Sequence, residues 1–144
     1  MYSGLIATHS YLRYFILIFL VIVIVMSLIG WINKTPYSKR FDKVNLFLFI
    51  CAHTQLLLGI ILYFVGDRVQ LSGETMKSAP LRYFAMEHPV SMIIAIALIT
   101  IARISAKKTA IDQSKHKRMV AYNSIALAII LVVVFVLGAN YNIY

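Results

Sequence analysis

The run Tyr14-Phe15-Ile16-Leu17-Ile18-Phe19-Leu20-Val21-Ile22-Val23-Ile24-Val25 decides the fold. Every side chain in it is aliphatic or aromatic. It therefore has neither the one-sided stripe of a soluble amphipathic helix nor the alternation of a half-buried strand. A backbone passing through hydrocarbon must satisfy its own hydrogen bonds, and a helix that is apolar on every side does so. Outward from this run, the apolar stretch extends over about 5–32. That exceeds the roughly 20 residues needed to cross a ~30 Å hydrocarbon layer.

Three further stretches qualify, at about 44–65, 81–104 and 119–138. Their short connections force an antiparallel order and leave no room for a soluble domain. The expectation is an all-α membrane protein: one domain over 1–144, a four-transmembrane-helix up-down-up-down bundle with spans one and three diagonally opposite. Composition agrees. Hydrophobic residues make up 61% of the 144-residue chain, charged residues 13%, and mean hydropathy is +0.84. Soluble domains average about 45–50% apolar and about 25% charged residues. Disordered and fibrous classes are excluded on the same grounds. Cys51 is the single cysteine, which excludes an internal disulfide, a CxxC pair, a thiolate zinc cluster and a CxxCH haem attachment.

The net charge of +9 is a topology signal. Lys34, Lys39, Arg40 and Lys43 follow span one, and Arg103, Lys107, Lys108, Lys115, Lys117 and Arg118 follow span three. The opposite side holds only Arg13, Arg68, Lys77 and Arg82. Ten against four predicts cytoplasmic basic loops in the cell (inner) membrane, with both termini outside. The N-terminus has no basic leader and no small-residue cleavage site, so it reads as a first span rather than a signal peptide. Basic loops beside anionic lipid account for the charge without nucleic acid.

Ionisable groups inside spans are expensive and become functional candidates. His9 and Arg13 open span one, His53 and Gln55 lie in span two, and Arg82, Glu87 and His88 open span three. At ~1.5 Å per residue, His9 and His88 lie roughly 7 and 9 Å from the outer boundary, and His53 about 18 Å. Level histidines on diagonal helices suit the two axial positions of a haem iron. This makes His9 and His88 the candidate metal ligands, with His53 nearby and Arg13 and Arg82 placed for the propionates. Gly59 and Ala85 are small enough to admit a flat ring. Ser91, or a carbonyl freed by Pro89, is the candidate to hold the second nitrogen of an axial histidine.

Structural roles compete at each position. His9 suits an interfacial belt with Tyr11 and Tyr14, His88 a helix start, His53 an interhelical hydrogen bond, and Gly59 tight packing. Arg13 and Glu87 could form an ion pair. His116, between Lys115 and Lys117, reads as a solvated loop residue. Leu-Arg-Tyr-Phe occurs at Leu12–Phe15 and again at Leu81–Phe84, a hint of a duplicated two-helix unit.

The segments His9-Ser10-Tyr11-Leu12-Arg13, His53-Thr54-Gln55 through Gly59 to Phe64, and Glu87-His88-Pro89 together resemble small bacterial four-span membrane proteins catalogued as cytochrome b-like. The resemblance covers the chain apart from its loops. It implies non-covalent haem b, electron transfer, and a site containing His9, His53 and His88, without saying which two hold iron. The expected function is therefore a b-type cytochrome or haem-bearing respiratory subunit near the outer membrane face, exchanging electrons with quinol or a respiratory complex. Two other classes compete. One is a haem-free structural subunit of a membrane complex, the other a small transporter or proton relay using His53, Gln55 and Glu87. Membrane lipid is an expected partner, and a homo-oligomer is compatible with the pattern. No nucleophile–base pair, phosphate loop or HExxH motif points to a stand-alone enzyme.

Overall fold

Four helices form an up-down-up-down bundle in the computed structural model, which describes residues 1–141. They are α1 (Tyr2–Ile32), α2 (Lys39–Val65), α3 (Ala79–Lys107) and α4 (Asp112–Tyr141), each long and apolar enough to cross a membrane. Each extends beyond the span read from hydropathy. In α2, α3 and α4 the Lys- and Arg-bearing ends continue the helix past the apolar run, because Lys and Arg are good helix formers.

The four helices are apolar on all sides, yet each buries one stripe. On α1 it is Ile16, Leu20, Val23, Ser27 and Gly30; on α2, Asn45, Leu48 and Ala52. On α3 it is Ala95, Ile99, Ala102 and Ala106, and on α4 His116, Met119, Asn123, Ala126 and Ile130. Steps of three and four match the seam of a left-handed bundle. The small residues let backbones approach closely, which matters where lipid is as apolar as leucine and dispersion must hold the helices together. α1 packs on α2 and α4, and α3 packs closely on α4 but only lightly on α2. Spans one and three therefore stand diagonally.

Local chemistry sets the helix ends. Lys34 takes a left-handed φ of 54° just past the C-cap Asn33. The Thr35 N–H then reaches the Gly30 carbonyl at 3.0 Å, closing a Schellman turn with lysine in the usual glycine position. In α3, Pro89 cannot donate to Ala85, and its ring crowds that carbonyl. The helix widens just ahead of it into a π turn, Tyr83–Glu87. The Ala85 carbonyl instead accepts from the Tyr63 hydroxyl of α2 at 3.1 Å. A second π turn, Val132–Leu137, interrupts α4.

Candidate functional site

The light contact between α2 and α3 leaves a cavity of about 460 Å³ near the end of the bundle that carries both chain termini, within the range of small-molecule and cofactor sites. Its inner wall is apolar, with Ile16, Ala52, Ile96, Ile99, Ile130 and Val134 among its residues. Its polar lining includes His9, Ser10, Arg13, Gln55, Arg68 and His88. Gln55 donates to the His9 carbonyl at 2.7 Å, tying α2 to α1 at this level.

His9 and His88 meet here. Their ring centroids are 6.3 Å apart, with planes inclined at 65°. Two imidazoles holding one ion between them, with metal–nitrogen bonds of about 2 Å, have centroids about 6 Å apart. The Nδ1 of His9 is buried without a hydrogen-bond partner. Gly59 lies against that ring, and a Cβ there would come within 3.3 Å of Cε1. A side chain would press on the imidazole, so glycine gives His9 room.

The other histidine is held by a relay through the π turn. Tyr83 is fully buried, and its hydroxyl donates to the Val133 carbonyl at 3.0 Å while lying 3.5 Å from His88 Nδ1. A carbonyl can only accept, so the hydroxyl proton goes to Val133 and the phenolic oxygen faces the imidazole as an acceptor. Neutral His88 therefore carries its proton on Nδ1 and keeps the Nε2 lone pair for a ligand. The sequence pointed to Ser91 or the carbonyl ahead of Pro89 for this task. The tyrosine does it instead, and that carbonyl is occupied by Tyr63.

The remaining candidates lie as follows. Arg13 lines the cavity with its guanidinium over Tyr14, 4.9 Å from the ring centroid, and donates to the Tyr14 hydroxyl at 3.2 Å. Arg82 is engaged with Glu87, Nε to Oε1 at 2.8 Å, so Glu87 pairs with Arg82 and not with Arg13. The two Leu-Arg-Tyr-Phe copies thus play unlike parts: Tyr83 is buried, whereas Tyr14 is 43% exposed. His53 stands apart from the cavity. Its Nδ1 bonds the Phe49 carbonyl at 2.8 Å, and Nε2 lies 3.5 Å from the Thr100 hydroxyl. Of the relay candidates, only Gln55 lines the cavity. Among the described residues, no cluster of three or more His, Cys, Asp or Glu is placed to hold a metal. Any metal here would rest on the histidine pair.

Sequence reasoning missed Arg68, which lines the cavity from the segment after α2 and lies over the Phe84 ring. The signal was its place as the first basic residue beyond that helix. Reasoning also misplaced His116, which is fully buried rather than solvated. Its Nε2 lies 3.0 Å from the Thr35 carbonyl, and its ring packs against the stacked pair Tyr37 and Phe41. Searches against family models, curated proteins and solved structures returned no match.

Proposed function

We propose that this chain is a small integral-membrane b-type cytochrome, an electron-transfer module holding one haem b between His9 and His88. The observation that carries this reading is the meeting of two imidazoles from diagonal helices, 6.3 Å apart, across a largely apolar cavity. The residues present fit the group. His9 and His88 would hold its iron, and Arg13 and Arg68 would be the cationic partners for its propionates. Haem supplies reversible one-electron chemistry, with its potential tuned by ligation and burial. Tyr83 orients His88, Gly59 makes room for His9, and the apolar wall excludes water. The partners in this reading are membrane quinol or a larger respiratory assembly. In the same reading the basic loops face the cytoplasm and both termini lie outside, following the Lys/Arg asymmetry.

A haem-free structural subunit is the second reading. His53 favours it, because its Nδ1 is taken by the Phe49 carbonyl of its own helix and its Nε2 lies beside the Thr100 hydroxyl of α3, so both nitrogens serve packing. The test is the absorption spectrum of purified protein expressed with ample haem, oxidised and then reduced. A bis-histidine haem gives a sharp low-spin α band on reduction. His9→Ala and His88→Ala should each abolish it, and His53→Ala should keep it. A wild-type protein with no reduced band would overturn the cytochrome reading.

A further inference from the structure

At the opposite end of the bundle a second cavity, of about 300 Å³, lies among the start of α2, the end of α3 and the start of α4. Lys39, Arg103, Lys107 and Lys115 line it, against a single acidic residue, Asp42. Arg103 is built in. It is 7% exposed, and its guanidinium bonds the Asp42 carboxylate at 3.2 Å and the Asp42 carbonyl at 3.3 Å. One carboxylate cannot balance four cations, so the cavity keeps a net positive charge.

The rest of the lining suits an oxygen-rich anion. Tyr37 and Ser38 bring hydroxyls, and Ser38 precedes α2 without a side-chain capping bond. Burial pushes the Tyr37 hydroxyl above its usual range, so it stays neutral and able to donate. Asn45, 2% exposed, also lines the cavity; its Nδ2 contacts the Met119 sulfur, and its Oδ1 has no partner. A buried acceptor without a donor is costly, which favours a ligand bringing a hydroxyl along with its anion.

We propose that this cavity binds the phosphate of an anionic phospholipid headgroup bearing free hydroxyls, of the phosphatidylglycerol type. Basic pockets between transmembrane helices recognise such headgroups, and this one lies where the helices leave the hydrocarbon. The site does not depend on the haem reading, which concerns the other end of the bundle.

The experiment is thermal unfolding of the detergent-solubilised protein titrated with phosphatidylglycerol, phosphatidylcholine or inorganic phosphate. Native mass spectrometry would count retained lipid. Phosphatidylglycerol should stabilise the protein and co-purify with it, and phosphatidylcholine should not. Each lysine near the lipid phosphate contributes a factor of roughly five in affinity. Lys107→Gln/Lys115→Gln should therefore weaken binding about twenty-five-fold. The control Lys43→Gln/Lys117→Gln removes the same charge from the same end but outside the cavity, and it should change binding less than fivefold. Equal losses in the two double variants would overturn the proposal, because the attraction would then be that of a basic surface. Stabilisation by inorganic phosphate matching that by phosphatidylglycerol would overturn the lipid assignment.

Discussion

Gly30→Ala is the sharpest test of the packing. A Cβ on Gly30 would lie 2.5 Å from His116 Cε1, about 0.9 Å short of ordinary contact at 3.4 Å. The imidazole has nowhere to retreat. It is packed by Tyr37 and Phe41 at centroid distances of 5.3 and 4.9 Å and tied to the Thr35 carbonyl at 3.0 Å. Overpacking of this kind costs about 1–3 kcal/mol, and displacing the ring from Thr35 adds about 1 kcal/mol. Against this, alanine is the better helix former by about 1 kcal/mol. The net expectation is a loss of about 1–3 kcal/mol. Gly4, where a Cβ meets open space, should instead gain up to about 1 kcal/mol as Gly4→Ala. The assay is reversible unfolding in mixed micelles of rising dodecyl sulfate, followed by circular dichroism and by fluorescence of Trp31, the only tryptophan. In a His116→Ala background the penalty of Gly30→Ala should vanish, since the clashing ring is gone. If Gly30→Ala proves as stable as Gly4→Ala, or if the penalty survives without His116, the reasoning fails.

Other outcomes follow from the same contacts. Asp42→Asn should cost about 1–3 kcal/mol by leaving the buried Arg103 short of charge, with the half-open carboxylate side moderating the loss. Glu74→Gln, in an ion pair more than two-thirds exposed on both sides, should change stability by less than about 0.5 kcal/mol; comparable losses for the two would contradict this ranking. Tyr83→Phe should fold with a loss of about 1–2 kcal/mol and, in the haem-loaded protein, shift the reduced band or redox potential, whereas Tyr11→Phe, on an exposed side chain, should shift neither. In a Cys51→Ala background, an impermeant thiol reagent on intact cells should label Ser72→Cys and spare Ser38→Cys; the reverse pattern would invert the proposed orientation.

The fold was legible because hydropathy alone requires four spans, and short loops leave one simple order for them. The approach of His9 to His88 was legible for a related reason. Fixed rise per residue turns sequence distance into depth, and diagonal placement makes equal depths converge. Two features were hidden. His116 looked solvated because its neighbours are lysines. On a helix those neighbours point away to either side, and the steps from His116 to Met119, Asn123, Ala126 and Ile130 were the signal that it faces inward. The π turns were hidden more deeply. Pro89 announces a disturbance, but whether the chain kinks or widens is settled by partners on other helices, here the Tyr63 hydroxyl, which donates to the Ala85 carbonyl, and the Val133 carbonyl, which accepts from Tyr83. The same applies to His53, whose acceptor is a carbonyl on its own helix.

The π turn at Tyr83–Glu87 also acts as a spacer between two separately addressable pieces of α3. It holds one residue more than a regular turn, so deleting exposed Met86 would return the backbone to an ordinary helix. Everything on the Tyr83 side would then rotate by about 100° and advance about 1.5 Å, while His88 and the helix beyond it kept their register. Tyr83 would swing away from Val133, and the imidazole would lose its proton acceptor with no side chain substituted. The orientation of a buried histidine in this bundle is therefore written in the residue count of its helix as well as in its chemistry, and a one-residue change in length reaches it.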